Sequence, residues 1–219
     1  MTPLEWRVEL HCHTHVSGDS LAEPRRLLAV AQGKGIDRLA ITDHNTINGA
    51  EEAAALDPER VIIGEEIMTT EGELLAYFLR ESVPPGLPPE ETIARLRAQG
   101  AAVAVSHPFD YLRKGAWREA SLKRILPLVD ALEVFNARTW DSRPNRKAAQ
   151  WALRAGLPGI AGSDAHAPFE VGTAWTRLAP FHDAESFRLA LRTARVEGRR
   201  SLPWVHLVSR YAVWVKGRG

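Results

Sequence analysis

At 219 residues, with 45% hydrophobic and 25% charged residues, the chain is long enough for a full core and too ordinary in composition for a disordered or fibrous protein. A formal net charge of +1 gives it no polybasic field of the kind that long nucleic-acid duplexes attract. The single cysteine, Cys12, excludes an intrachain disulfide, and no apolar run reaches the ~18 residues of a membrane span, so a cytoplasmic protein without membrane association is expected.

Taken in order, short apolar runs alternate with helical patterns. "WRVEL" (6–10) alternates as a strand, and "EPRRLLAVAQGKG" (23–35) reads as a helix with Pro24 at its start and glycine past its end. "DRLAIT" (37–42), "RVIIG" (60–64) and "ELLAYFL" (73–79) are strands. The Pro-rich 82–91 is a loop leading into "PPEETIARLRAQG" (88–100), whose early acids and final glycine mark a helix. Then come strand 101–106, helix 118–129, strand 131–135, helix 144–156, strands 157–162 and 173–178, and a helix over 183–198. In the tail, Trp204, Leu207, Val208, Tyr211 and Val215 fall at helical spacing and predict a packed C-terminal helix within 200–219. The alternation predicts one α/β domain over 1–219, a mostly parallel sheet with helices outside, closed as a barrel.

The unusual polar residues sit at predicted strand ends: His11 and His13, Asp43 and His44, Glu65 and Glu66, His107, Glu133 to Asn136, and Asp164 with His166. The carboxyl edge of a parallel sheet is where strand-to-helix loops build active sites. Side chains alternate along a strand, so His11 and His13 share a face that Cys12 does not. Imidazole and carboxylate without thiolate suit Zn, Mn or Fe and argue against a closed structural zinc site. His11, His13, Asp19, His44, Glu66, His107, Asp164 and His166 are too many ligands for one ion, so two or three divalent ions are implied. Three carboxylates against them leave about one to three positive charges, a balance that draws in a phosphate group. Glu66 is preferred to Glu65 on register. His15 reads equally as ligand, proton donor or loop residue, Glu133 and Asn136 as strand-end caps, and His182 and His206 as ordinary surface or core residues. Arg138, Arg143 or Arg146 could clamp a phosphate in bidentate fashion.

"ELHCHTHVSGDS", "ITDHNTI", "GEEI", "SHPFD", "EVFN" and "GSDAH", in this order over about residues 7–178, resemble the PHP (polymerase and histidinol phosphatase) family of metal-dependent phosphoesterases, in its short bacterial and archaeal form. The resemblance implies a distorted (β/α)7 barrel holding two or three ions. It places one ion on His11, His13, Glu66 and Asp164, a second on Glu66 and His107, and a third on Asp19, His44 and His166. Two departures stand out. Glu9 replaces the family's usual Asp, and "ELLAYF" lacks a histidine found in longer members, which leaves Glu73 or Asn136 to complete the second set.

The chemistry this implies is hydrolysis of a phosphomonoester or phosphodiester, with a shared water lowered from pKa 15.7 to about 7 so that it attacks as hydroxide. His11, His13, Glu66, His107, Asp164 and His166 would carry it, with His15 as a donor to the leaving oxygen. No phosphate-binding G-x-x-x-x-G-K-[ST] loop or G-x-S-x-G elbow competes with this reading. The alternatives are an exonuclease-like enzyme on nucleic-acid ends or small nucleotides, an amidohydrolase, and a non-catalytic metal-binding scaffold. The expected partner is a small phosphate ester or nucleotide. No extended nucleic-acid surface is visible in the sequence, since single-strand binding adds a basic groove with exposed aromatics.

Overall fold

The computed structural model describes residues 5–217. Nine strands form one sheet: β1 (Trp6–Glu9), β2 (Arg38–Ile41), β3 (Val61–Met68), β4 (Glu73–Tyr77), β5 (Ala102–Val105), β6 (Ala131–Asn136), β7 (Gly159–Gly162), β8 (Ala174–Leu178) and β9 (Arg195–Gly198). Strands β7 to β1 lie side by side in sequence order, and β8 and β9 extend the sheet beyond β1. The helices are α1 (Pro24–Gly33), α2 (Asn48–Leu56), α3 (Pro89–Ala98), α4 (Glu119–Ile125), α5 (Arg143–Ala155), α6 (Ala184–Leu191) and α7 (Val205–Lys216).

The sheet curls until its first and seventh strands meet. Past the ends of β1 and β7, Cys12 and Ala165 form a parallel bridge, and the His13 N–H donates to the Ala165 carbonyl at 2.8 Å. Along the same edge of β7, the Ala161 N–H donates to Thr176 Oγ1 of β8 at 2.9 Å. The expected α/β barrel is therefore present in distorted, nearly closed form. Its sheet is less parallel than expected. β1, β2 and β3 pair in parallel, as do β5, β6 and β7, but β4 runs antiparallel to both neighbours, and β8 and β9 are antiparallel additions.

The alternation of strands decides what fills the barrel. Val8, Ala40, Ile62, Leu75, Ala104, Ala131 and Ile160, one from each of β1 to β7, pack in a single cluster with Phe181 and Phe187. Their neighbours of opposite parity face the helices. Leu39 and Ile41 pack with α1 and α2, and Leu74, Val103 and Val105 with α3 and α4. Two irregularities aim functional residues inward. The alternation slips between Leu10, which is in the lumen cluster, and Cys12, which packs with α1. In β6 the register shifts between Glu133 and Phe135, so Val134 is an extra residue. Glu133 and Asn136, three apart, would otherwise lie on opposite faces, and the bulge restores them to one.

Two expected elements differ. The helix expected over 183–198 ends at Leu191, and Arg195–Gly198 pairs instead as β9 with β8. The C-terminal helix is present, but its packed face is not the predicted one: Val205 and Ala212 are buried, while Trp204, Leu207 and Tyr211 are exposed. Helix α2 has no counterpart among the expected elements.

Candidate metal centre

The carboxyl rim of the barrel gathers the predicted side chains. His11 and His13 follow β1, His44 follows β2, His107 follows β5, and Asp164 and His166 follow β7. Glu66 lies inside β3 with the lumen-facing parity of Ile62. Glu65 faces the other way, where one carboxylate oxygen accepts from the Val83 N–H. Because β4 is antiparallel, its first residue, Glu73, lies at the same rim, paired with Met68. Asp164 is held at φ 54°, a left-handed conformation that Asp tolerates better than most residues and that here turns its carboxylate inward.

At the centre His11 Nε2 lies 3.3 Å from Glu66 Oε2 and 3.6 Å from Asp164 Oδ1, and His13 Nε2 lies 3.4 and 3.3 Å from the same oxygens. All four side chains are fully buried, and none of these four atoms has a hydrogen-bond partner. Such atoms cost free energy unless something else binds them. Ligands ~2.0–2.1 Å from a common centre in tetrahedral array stand ~3.3–3.4 Å apart, so the observed separations fit a zinc-sized cation.

Two further groups flank it. Glu66 Oε1 lies 3.1 Å from His107 Nε2, which is 3.4 Å from Glu73 Oε2. On the other side Asp19 lies 3.0 Å from His166 Nε2 and 3.6 Å from His44 Nε2, and His13, His44 and His166 bring ring nitrogens together. Burial would raise the Glu66 carboxyl, but the nearby His11 imidazole, the hydrogen bond with His107 and the close approach of His44 hold it well below the usual carboxylate range. Asp164 is likewise held well below, its burial outweighed by Arg113 and His11. Burial would lower His11, yet Glu66, Asp164 and Glu133 raise it well above an ordinary imidazole. His13, desolvated and beside His166 and His44, is lowered to about 3 and is neutral at physiological pH. The centre is a set of anions seeking positive charge.

A layer of hydrogen bonds fixes these groups. Glu133 Oε1 accepts from His11 Nδ1 at 3.0 Å, and its Oε2 accepts from the His107 N–H and from Asn136 Nδ2. Asp43 accepts from the Thr14 N–H and hydroxyl and from Ser17, while Ser106 donates to Glu66 Oε1 at 2.6 Å. Glu9 accepts from the backbone of His11, Ser163 and Gly172, and burial lifts its carboxyl to about 7. Glu133 is therefore more than a strand-end cap.

Four sequence expectations need correction. Asn136 directs its amide nitrogen at Asp164 Oδ2 and Glu133, as a donor and not a ligand, so Glu73 is the group that faces His107. His15 lies outside the cluster, its ring near Glu23 and Glu52, while its carbonyl accepts from Lys216 of α7. Arg143 is 81% exposed and paired with Asp141, and Arg146 bonds Ser142, so neither faces the cleft. His206, expected to be ordinary surface or core, lines the cleft beside Ser209.

The cleft over the centre has a volume of about 420 Å³, and Arg113, Lys114 and Arg138 are in its wall. Arg138 is spent on structure, donating to the Val205 carbonyl and to Ser209 of α7. Arg113, which sequence reasoning missed, donates to Asp164 Oδ2 at 2.6 Å and to Asp110. It lies in an aperiodic loop, and no spacing rule marks it.

Fold and site define an α/β barrel with a histidine and carboxylate cluster at the carboxyl rim of its strands. Residues 9–115 match the PHP domain family and 142–196 the PHP-associated family. An uncharacterised protein of Methanocaldococcus jannaschii is 44% identical over 162 residues, 68% of this chain and 92% of that protein. A second from the same archaeon is 36% identical over 176 residues, 79% of this chain and 70% of the relative. A two-domain protein from Bacteroides vulgatus, containing a predicted PHP-like metal-dependent phosphoesterase, shares the fold with a TM-score of 0.74 at 19% identity. The match covers 90% of this chain and 65% of the length of that one. The chain belongs to the PHP family.

Proposed function

We propose that the protein is a metal-dependent phosphoric ester hydrolase that holds two or three divalent ions of the zinc, manganese or iron type. The observation that carries this is the convergence of His11 Nε2, His13 Nε2, Glu66 Oε2 and Asp164 Oδ1, buried and without hydrogen-bond partners, 3.3 to 3.6 Å apart in the four pairings given above. These four residues would hold one ion. Glu66 Oε1, His107 and Glu73 would hold a second, and Asp19, His44 and His166 a third.

When bound, such ions supply Lewis acidity toward phosphoryl oxygens and a water acidified from pKa 15.7 toward 7. The chain supplies the rest. Arg113, fixed by Asp164 and Asp110, presents its guanidinium to the cleft, where its fork suits a phosphoryl group, and Lys114 adds a second cation. Arg138 keeps α7 over the cleft and so positions His206, the imidazole that takes the place foreseen for His15 beside a leaving group. Ser17 and Glu133 hold His13 and His11 at their Nδ1 atoms, leaving each Nε2 aimed at the centre.

The test is elemental analysis of purified protein, paired with turnover of an aryl phosphate and a bis-aryl phosphate. His13→Ala and Asp164→Ala should each lose metal and turnover together. Full metal content with full turnover in either variant would overturn the assignment.

A further inference from the structure

Outside the metal cleft, the most unusual surface is the exposed side of α5. Its sequence, "RPNRKAAQWALRA", carries Arg143, Arg146, Lys147 and Arg154 and no acidic residue, in a chain whose net charge is only +1. With Lys123 of α4 these cations line an open groove of about 750 Å³. The two carboxylates that pair with them are Asp141, on Arg143, and Glu119, on Lys147. Five cations face two acids, and exposed ion pairs of this kind open at little cost.

The groove leads toward the metal cleft. Arg143 and Lys147 also line a second depression, of about 380 Å³, whose walls include Tyr111 and Trp140. Both rings are exposed, at 60% and 51%. Trp140 stacks on His206 at 4.7 Å between centroids and 6° between planes, and His206 belongs to the metal cleft. On the facing wall Asp110 of the depression binds Arg113 of the cleft. Cations thus line the outer track, exposed aromatic rings follow, and the candidate reaction centre lies at the inner end. Cations that follow a backbone, combined with rings that stack bases regardless of sequence, are the two requirements of single-strand binding.

We propose that this track binds a single-stranded polynucleotide, DNA or RNA, with its phosphates on the α5 cations, bases on Trp140 and Tyr111, and one phosphate at the metal cleft. The proposal rests on the phosphoester hydrolase reading for its last step only, and the binding surface stands without it.

The experiment measures binding of labelled 12-nucleotide DNA and RNA single strands to the metal-loaded protein by fluorescence anisotropy across a salt series. Aryl phosphate turnover is followed in parallel. The variants are the double charge reversal Lys123→Glu with Arg154→Glu, far from the metal cleft, and Trp140→Ala. Expected results are a salt-dependent affinity for at least one of the two strands, weakened about tenfold or more by the double variant, with a shallower salt slope. Aryl phosphate turnover in the double variant should be unchanged, and Trp140→Ala should weaken binding at every salt concentration. Wild-type protein that ignores both strands, or a double variant that binds them equally well, would overturn the proposal even if aryl phosphate is hydrolysed. So would a 12-residue polyglutamate that competes as well as the oligonucleotides, because it has no bases to stack. Strand binding through α5 by a protein that hydrolyses no ester would uphold the surface and defeat the hydrolase reading instead.

Discussion

Glu133 shows how much of the centre depends on residues that touch no ion. Its two oxygens hold the His11 ring through Nδ1 and the His107 backbone through its N–H, so it orients both candidate ligands at once. Groups in this position are commonly worth 10- to 100-fold in metal affinity. Glu133→Ala should therefore weaken metal binding by about that factor in a chelator competition assay while the fold persists by circular dichroism. His15→Ala should leave affinity within about twofold, since that ring lies near Glu23 and Glu52, outside the cluster. Equal affinities in the two variants would contradict the hydrogen-bond scheme. Arg113→Ala separates binding from chemistry in another way: loss of its guanidinium should raise KM for a phosphate ester, with metal content retained. A fall in metal content without a change in KM would recast Arg113 as support for Asp164 alone.

At the scale of elements, the barrel closes only because β1 and β7 approach closely, and Gly162 permits it. A methyl added there would lie 2.3 Å from His11 Cβ and 2.9 Å from Glu133 Oε1. Gly162→Ala should force the strands apart, costing on the order of 1–3 kcal/mol and displacing His11. Gly33, the last residue of α1, has open space where a methyl would go, so Gly33→Ala should stabilise by about 0.4–1 kcal/mol. Urea unfolding of the two variants checks the opposite signs; a shared sign would refute the packing argument. The same elements show why some of this structure was legible in the sequence and some was not. Strand ends carrying His11, His13, His44, His107 and Asp164 were visible because short apolar runs stop at them. The split of 183–198 was not, because Arg192–Ala194 suits a helix locally and only pairing with β8 makes Arg195–Gly198 a strand. Nor was the extra residue Val134, which is a matter of register with β7. Arg113 and His206 are brought to the cleft by a loop and by α7, and neither placement has a local signature. The proposed α5 track escaped for a related reason: Tyr111, Trp140 and Lys147 are scattered along the chain and meet only in the folded protein.

For the whole molecule, the decisive quantity is the imbalance of buried charge. Glu66, Glu133 and Asp164 are almost fully enclosed at the rim, with Asp19 and Glu73 beside them, and Arg113 is the guanidinium that reaches Asp164. The neighbouring imidazoles can offset the negative charge only by taking up protons; against the cost of burying that charge, the carboxylates around His11 and His44 raise both well above an ordinary imidazole. Divalent cations relieve the imbalance without that cost, so metal binding and folding should be coupled. Once the sites are saturated, each tenfold rise in free metal should add about 1.4 kcal/mol per ion. For a chain of this length that is ~3–5 °C in Tm. Stripping with a chelator should lower Tm and make it depend on added Zn or Mn. The gain should shrink as pH falls, because the imidazoles of His11, His44 and His107, raised despite burial by the carboxylates around them, hold protons that the metal must displace. Differential scanning calorimetry across metal concentration and pH reads both effects. A Tm indifferent to chelator and to added metal at pH 7.5 would mean that the rim tolerates its own charge, and the argument for ions held there would fail with it.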